Sequence, residues 1–344
     1  MVFSRYRATG ADLPFGDPVR AHGVRMEGYF WRFTHLESGQ VVVALNGVNR
    51  ADDGSWATLG LAGLRGGFLR TSAHPQGWAD PSALGAHAGT AFRGERGRVR
   101  VDLGPDARLD VRITDHAHWP RRVFGGSSFF QVVPALNQYW HPWLLGGRAE
   151  GTAILGDQVW DLTGSQVYAE KNWGAGGFPE AWWWGQAHGF AEPDACVAFA
   201  GGVVTARGLR VEVTALVVRM PDGTLIRLGN PGTSPVRAWV GDGQWSLRGR
   251  GGPWTVDLLA ESHPDAGHVL PVPLPTERRN VAGAIEHLGG TLEIQVRRRG
   301  RPYWSGRSSL AGLEHGGIDR AAAELCRRGA PPDAVDSRPA SVRP

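Results

Sequence analysis

Lysine is almost missing from this 344-residue chain: of 37 basic residues, 36 are arginine and one is Lys171. Cysteine is scarce too. Cys196 and Cys326 lie far apart and neither belongs to a CxxC, which excludes a disulfide scaffold and a zinc knuckle. Both read as small buried side chains. Apolar runs of the roughly 18 to 20 residues that a spanning helix needs are absent. The opening MVFSRYRATGADLPFG lacks the apolar stretch of a signal peptide, so a soluble, cytoplasmic protein is expected. Basic residues outnumber acidic ones by only four, 37 against 33, and the arginines are dispersed, which argues against a nucleic-acid partner. No GxSxG elbow occurs. GAGG at 174–177 and GLRGG at 63–67 lack the strand, loop and helix context of a phosphate cradle and read as turns. His116-Ala117-His118 beside Asp115 has a metal-like spacing but no third ligand, so neither metal nor cofactor is expected.

Glycine and proline are abundant, at 50 and 23 residues, which disfavours long helices and suits short strands joined by tight turns. A mainly β chain follows. Val41 to Leu45, Val99 to Leu103, Leu109 to Thr114, Val211 to Val218 and Leu292 to Val296 are rich in β-branched residues and bounded by turn formers. Hairpins are expected around Pro105-Asp106 and Asp222-Gly223. The one convincing helix is late, capped by Asp319, docking through Ile318 and Leu325 and stopped by Gly329.

Two segments match at an offset of 153: EGYFWRFTH at 27–35 and EAWWWGQAH at 180–188, pairing Glu27 with Glu180, Trp31 with Trp184 and His35 with His188. With two inserted residues, QVVVALNGV at 40–48 meets ACVAFAGGV at 195–203. This suggests a duplicated unit. Tandem lipocalin-like antiparallel β-barrels are expected, at 21–145 and 146–329, the second carrying the helix, with a loose segment at 1–20 and a flexible tail at 330–344. Seven of the fifteen tryptophans fall within the 45 residues from Trp140 to Trp184. In an extended strand Trp182, Trp184, Gln186 and His188 share one face and Trp183 takes the other. An aromatic wall with polar groups set into it fits a pocket for a large apolar ligand with one polar end, and core filling is the competing reading.

YAEKNWGAGGFPEAWWWGQAHGF at 168–190, WHPWLLGG at 140–147 and MEGYFWRF at 26–33 together resemble the tocopherol cyclase family, with its FFEGWYF-like start and its Y-x-EKNWG and FP-x-x-W-x-W-x-Q centre. That family often carries a Pro-His-Ser tripeptide before the first segment; here the stretch is PVRAHGVRMEG, with His22 and no such tripeptide. The resemblance implies a two-domain lipocalin-like architecture akin to carotenoid 1,2-hydratase-type proteins. It also implies closure of a prenylated hydroquinone or phenol to a chromanol. Such a reaction protonates an alkene and lets the phenol oxygen capture the tertiary cation, without redox cofactor or metal.

An alkene is a weak base, so the site needs an acid still protonated near neutral pH, which burial of a carboxyl supplies. Glu170 and Glu27 are the carboxyls nearest the matched motifs, with Asp161 and Glu180 in reserve. Lys171, Tyr168 and Asn172 complete the expected catalytic set. Trp173, Trp182, Trp184, Gln186, His188, Trp31, Trp140, Trp143 and Phe178 are the expected substrate-binding residues, their ring faces steadying a cation. The expected partner is a hydrophobic prenylated aromatic or isoprenoid, with peripheral membrane association following from a lipid substrate. A non-catalytic carrier and a hydratase of an isoprenoid double bond are the alternatives.

Overall fold

The computed structural model describes residues 4, 7, 9–13, 16–120, 124–206 and 209–340. The described chain is mainly β, in two antiparallel sheets. The first holds β1 (Met26–His35), β2 (Gln40–Ala51), β3 (Gly54–Gly63), β4 (Phe68–His74), β5 (Trp78–Ala79), β6 (Gly85–Ala88), β7 (Phe92–Glu95), β8 (Arg98–Asp102), β9 (Ala107–Thr114), β10 (Tyr139–Leu144), β11 (Arg148–Leu155), β12 (Gln158–Asp161) and β13 (Gln166–Gly174). The second holds β14 (Trp182–Ala187), β15 (Cys196–Ala206), β16 (Leu209–Arg219), β17 (Leu225–Leu228), β18 (Val236–Gly241), β19 (Gln244–Gly251), β20 (Trp254–Glu261), β21 (His268–Leu274), β22 (Arg279–Arg298) and β23 (Arg301–Gly316).

Both expected hairpins form, β8 with β9 and β16 with β17, and Gly223 sits at φ +81°, where a side chain would be strained. Among the described residues the expected closed barrels are not found. The ladder of the first sheet ends at β4 and β5, and that of the second at β17 and β18. β17 meets β18 through a turn, Gly229 N donating to Ser234 O at 2.7 Å, and side chains rather than a shared register fill the gap.

The two sheets repeat one plan. β1 and β14 each open a four-strand meander, β1 to β4 and β14 to β17, and each pairs on its other edge with the last strand of its own sheet, β13 or β23. The internal match in the sequence falls on these corresponding strands. The changeover between sheets lies between Gly174 and Trp182 instead of at 145/146, because the EKNWG strand β13 pairs with both β1 and β10. Correspondence of position is not correspondence of chemistry: Glu27 is buried, whereas Glu180 is exposed and pairs with Arg210 at 2.7 Å.

The helix α1 (Ile318–Arg327) is present, but Gly317 and not Asp319 is its N-cap; Asp319 lies in the first turn, where its charge suits the helix dipole. Ala321 and Leu325 dock on Val269 and Ala282, while Ile318 is turned to solvent. The segment after the helix is tied back, Asn280 N donating to Ser337 O at 2.8 Å; residues 341–344 lie outside the described residues. Near the start, Ala11 and Asp12 are buried, and Ala11 O accepts from Trp173 Nε1 at 2.9 Å and Gln131 Nε2 at 3.1 Å, so this stretch is packed and not loose. Residues 1–3, 5, 6, 8, 14 and 15 lie outside the described residues. Cys196 is buried, with its thiol pushed up to about 12 by that burial, but Cys326 is exposed.

Each sheet wraps its own apolar core. The first is built on Tyr29, Trp31, Phe33, Phe92, Trp143 and the aliphatic residues of the ladder, the second on Trp183, Phe199, Trp245 and theirs. Between Glu27 and Lys171, both fully buried, the first sheet carries an ion pair of 2.7 Å. Arg50 reaches the same carboxylate at 2.7 Å, and the His22 and Gly23 N–H groups donate to it. Lys171 also donates to Arg20 O at 2.7 Å and lies 4.9 Å from the Tyr29 ring centre. Burial alone would raise the Glu27 carboxyl, but the Lys171 ammonium and Arg50 guanidinium outweigh it and hold it at about 2. A carboxyl depressed on folding stabilises above its ordinary value of 4.5 and loses that contribution as pH falls toward about 2.

Removing one partner of a buried pair leaves an uncompensated charge, so Lys171→Met is expected to lower stability by about 3–5 kcal/mol in urea unfolding at neutral pH. The double variant Glu27→Gln/Lys171→Met should recover part of that loss. A loss under about 1 kcal/mol in the single variant would show that the pair does not hold this region.

Candidate functional site

Side-chain alternation along β13 decides the site. β13 runs beside β1 with Phe30 opposite Glu170, Gly28 opposite Asn172 and Tyr29 opposite Lys171. Tyr168, Glu170 and Asn172 therefore face the second sheet, whereas Lys171 and Trp173 face back into the first. β10 adds Trp140 beside Asn172. On the facing sheet, Trp182 and Trp184 of β14 stand opposite Gly316 and Glu314 of β23, and Glu286 of β22 stands opposite Glu314. These walls enclose a cavity of about 200 Å³, which Phe30, Tyr139, Phe178 and Val272 also line.

Three carboxyls face this cavity: Glu170 and Glu286, both buried, and Glu314, half-buried. Glu170 Oε2 accepts from Tyr168 Oη at 2.5 Å, Trp140 Nε1 at 2.7 Å and Trp184 Nε1 at 2.8 Å. Burial raises this carboxyl and the three donors hold it back. Glu314 accepts from Trp182 Nε1 through Oε1, and burial pushes its carboxyl up to about 7. Glu286 rises well above the usual range through burial and the neighbouring Glu314 charge, and its Oε1 has no hydrogen-bond partner. Asn172 Oδ1 is likewise buried without a partner at the cavity wall. Its side chain occupies the space over Gly28, where any Cβ would collide with it. An unpaired buried acceptor costs about 1–3 kcal/mol, a cost that a ligand hydroxyl relieves.

The cavity brings together Glu170, Asn172, Trp140, Trp182, Trp184 and Phe178 of the expected set. It leaves out the rest. Glu27 and Lys171 are paired with each other in the first sheet, so Glu27, expected beside Glu170 as a candidate acid, is an ionised structural carboxylate. Trp31 and Trp143 pack edge to face at 6.5 Å inside that sheet, and Trp173 stacks on Tyr139 at 5.5 Å. Tyr168 stands behind Glu170 as its donor. Gln186 is turned to Arg32, whose Nη1 donates to its Oε1 at 2.9 Å. His188 is buried with Nε2 3.3 Å from Leu145 O, and burial drops it to about 3, so it is neutral. Asp161 and Glu180 are exposed. His116 and His118 stack ring on ring at 5.0 Å, and among the described residues no three His, Cys, Asp or Glu side chains are grouped to hold a metal. No helix of the described residues is long and apolar enough to cross a membrane.

Glu286 and Glu314 were not singled out by the sequence reading. The signal was present: each is a lone carboxyl followed by histidine inside an apolar strand, GAIEHLGG and AGLEHGG. Such a carboxyl on a strand buried on both faces either has a partner or a use.

The family described as Tocopherol cyclase-like matches residues 71–317, a span that includes Glu170, Glu286 and Glu314. A curated relative, the "Probable tocopherol cyclase, chloroplastic" of Oryza sativa subsp. japonica, is 26% identical over 201 residues, covering 56% of this chain and 42% of that protein. The match thus spans less than half of the rice protein. Among solved structures, CghA superposes with a TM-score of 0.54 at 12% identity over 85% of this chain and 87% of that one. CghA with Sch210972 gives 0.53 at 12% identity over 85% and 88%. At that identity the likeness is one of fold. The matched span covers well over half of the sequence, with the three acid-bearing strands β13, β22 and β23 inside it, and the chain belongs to the tocopherol cyclase-like family.

Proposed function

We propose that the cavity between the sheets carries out acid-catalysed ring closure of a prenylated hydroquinone or phenol to a chromanol. The observation that carries this reading is the set of carboxyls facing an indole-walled, mainly apolar cavity. A carboxyl there keeps its proton at neutral pH because its anion is poorly solvated. A pocket meant only to hold an apolar molecule gains nothing from three such groups.

The steps balance without an outside reagent. A carboxyl O–H gives its proton to the less substituted alkene carbon, and the alkene π pair forms the new C–H bond. The tertiary carbon is left positive. The phenol oxygen, its O–H donating to Asn172 Oδ1, attacks that carbon with a lone pair to close the ring. Its proton returns to the carboxylate, so the product is an isomer of the substrate. Trp140, Trp182 and Trp184 line the cavity, and each ring face presented to the cation is worth about 0.5–2 kcal/mol. The cavity takes the aromatic head and the reacting end of the tail.

Incubation of the protein with a prenylated hydroquinone should give a product of unchanged mass with one fewer titratable phenol. A gain of one water would point to hydration instead, and recovery of unchanged bound ligand to carriage. Trp184→Leu removes one ring face and one donor to Glu170, and is expected to lower kcat/KM about 2- to 30-fold. No change in that variant would remove the indole wall from the mechanism.

A further inference from the structure

Glu286 and Glu314 are Cα partners on adjacent antiparallel strands, so their carboxyls project side by side from one face into one cavity. Neither has a cation within ion-pair distance among the described residues. The charged group behind them is Arg32 of β1, fully buried; its two Nη groups are bonded elsewhere, and its Nε has no hydrogen-bond partner. Arg32 Nη1 donates to Thr34 Oγ1 and Gln186 Oε1, both at 2.9 Å, and Nη2 donates to Leu288 O at 3.0 Å and Leu310 O at 2.6 Å. Those two carbonyls lie where the β22/β23 register slips, which takes them out of the ladder. The guanidinium thus ties one sheet to the bulge of the other; it makes no ion pair with either acid, and although its charge favours the Glu286 anion, burial and the Glu314 charge outweigh it. Two adjacent carboxylates with no ion-pair partner repel each other, and an apolar lining disfavours ionising both.

The two are not equivalent. Glu314 Oε1 receives the Trp182 indole N–H, a donor that favours its anion, while Glu286 Oε1 receives nothing. Across the cavity Glu170 has three donors on one oxygen. His287 and His315, the neighbours along the two strands, point to the opposite face by alternation.

We propose that Glu314 is the proton donor of the cavity and that Glu286 stays neutral through the cycle, a positioning residue that lets the pair carry no more than one negative charge. Glu314 loses its proton to the substrate and regains one from the phenol, and the Trp182 N–H steadies the anion in between. The delivery step rests on the ring-closure reading; the protonation states do not.

The test therefore has two arms. Infrared spectra of the ligand-free protein, titrated from mildly acidic to mildly alkaline pH, should show a protonated-carboxyl band that disappears near pH 7 and is missing in Glu314→Gln. A second band should persist into alkaline solution and be missing in Glu286→Gln. Absence of both bands at neutral pH in the unmodified protein overturns the proposal without reference to any substrate. In turnover, kcat/KM should fall as pH rises through about 7, since the acid form is the active one. Glu314→Gln should lose about 100-fold or more. Glu286→Gln should leave the alkaline limb in place; a limb moved to lower pH would mean that Glu286 is charged at rest and overturn its role. Full turnover by Glu314→Gln overturns the donor assignment. Correct bands with no product from any prenylated phenol would leave the acid pair standing and remove the ring-closure reading.

Discussion

The arrangement depends on the two-residue period of a β-strand acting on adjacent ionisable residues in β13. Glu170 and Lys171 are neighbours in sequence, yet the pleat sends the first toward the second sheet and the second into its own. Had they faced the same way, the lysine would have neutralised the acid and the cavity would have lost a protonatable wall. Instead Lys171 satisfies Glu27 in the interior of the first sheet, with Arg50 beside it, and the cavity keeps its carboxyls without a cation. The environment, and not the residue type, separates an ionised structural glutamate from one that holds a proton.

Holding such a cavity open has a thermodynamic cost. Several of its polar atoms, Asn172 Oδ1 and Glu286 Oε1 among them, are buried without partners, at about 1–3 kcal/mol each. The surrounding structure offsets this with rigid supports. Arg32 crosses from one sheet to the bulge of the other, the three donors on Glu170 come from three strands, and α1 braces β21 and β22 from outside. Local rules broken at one place and upheld around it are the mark of a functional site in a stable fold.

Much of this was legible in the sequence wherever the cause was local. Turn chemistry at Pro105-Asp106 and Asp222-Gly223 located two hairpins, and the late helix followed from its composition. The alternation of the tryptophan-rich strand correctly separated Trp183 from Trp182 and Trp184. Closure of the sheets was not readable, because it depends on whether distant edges meet in register. Nor was the fate of Glu27, whose partners Lys171 and Arg50 are fixed by pairing of distant strands. A search centred on aromatic residues passed over Glu286 and Glu314, which lie more than 100 residues beyond Trp184 in sequence and come to it only through β23.

The cavity touches the two main apolar cores through Tyr29 and Trp183, but much of its wall, Phe178 and Val272 included, belongs to neither. Exchange of a wall residue such as Phe178 or Val272 reshapes the chamber while leaving both interiors intact. Selection is thereby free to retune which molecules enter without renegotiating foldability, a latitude denied to proteins whose ligand chamber is the core itself.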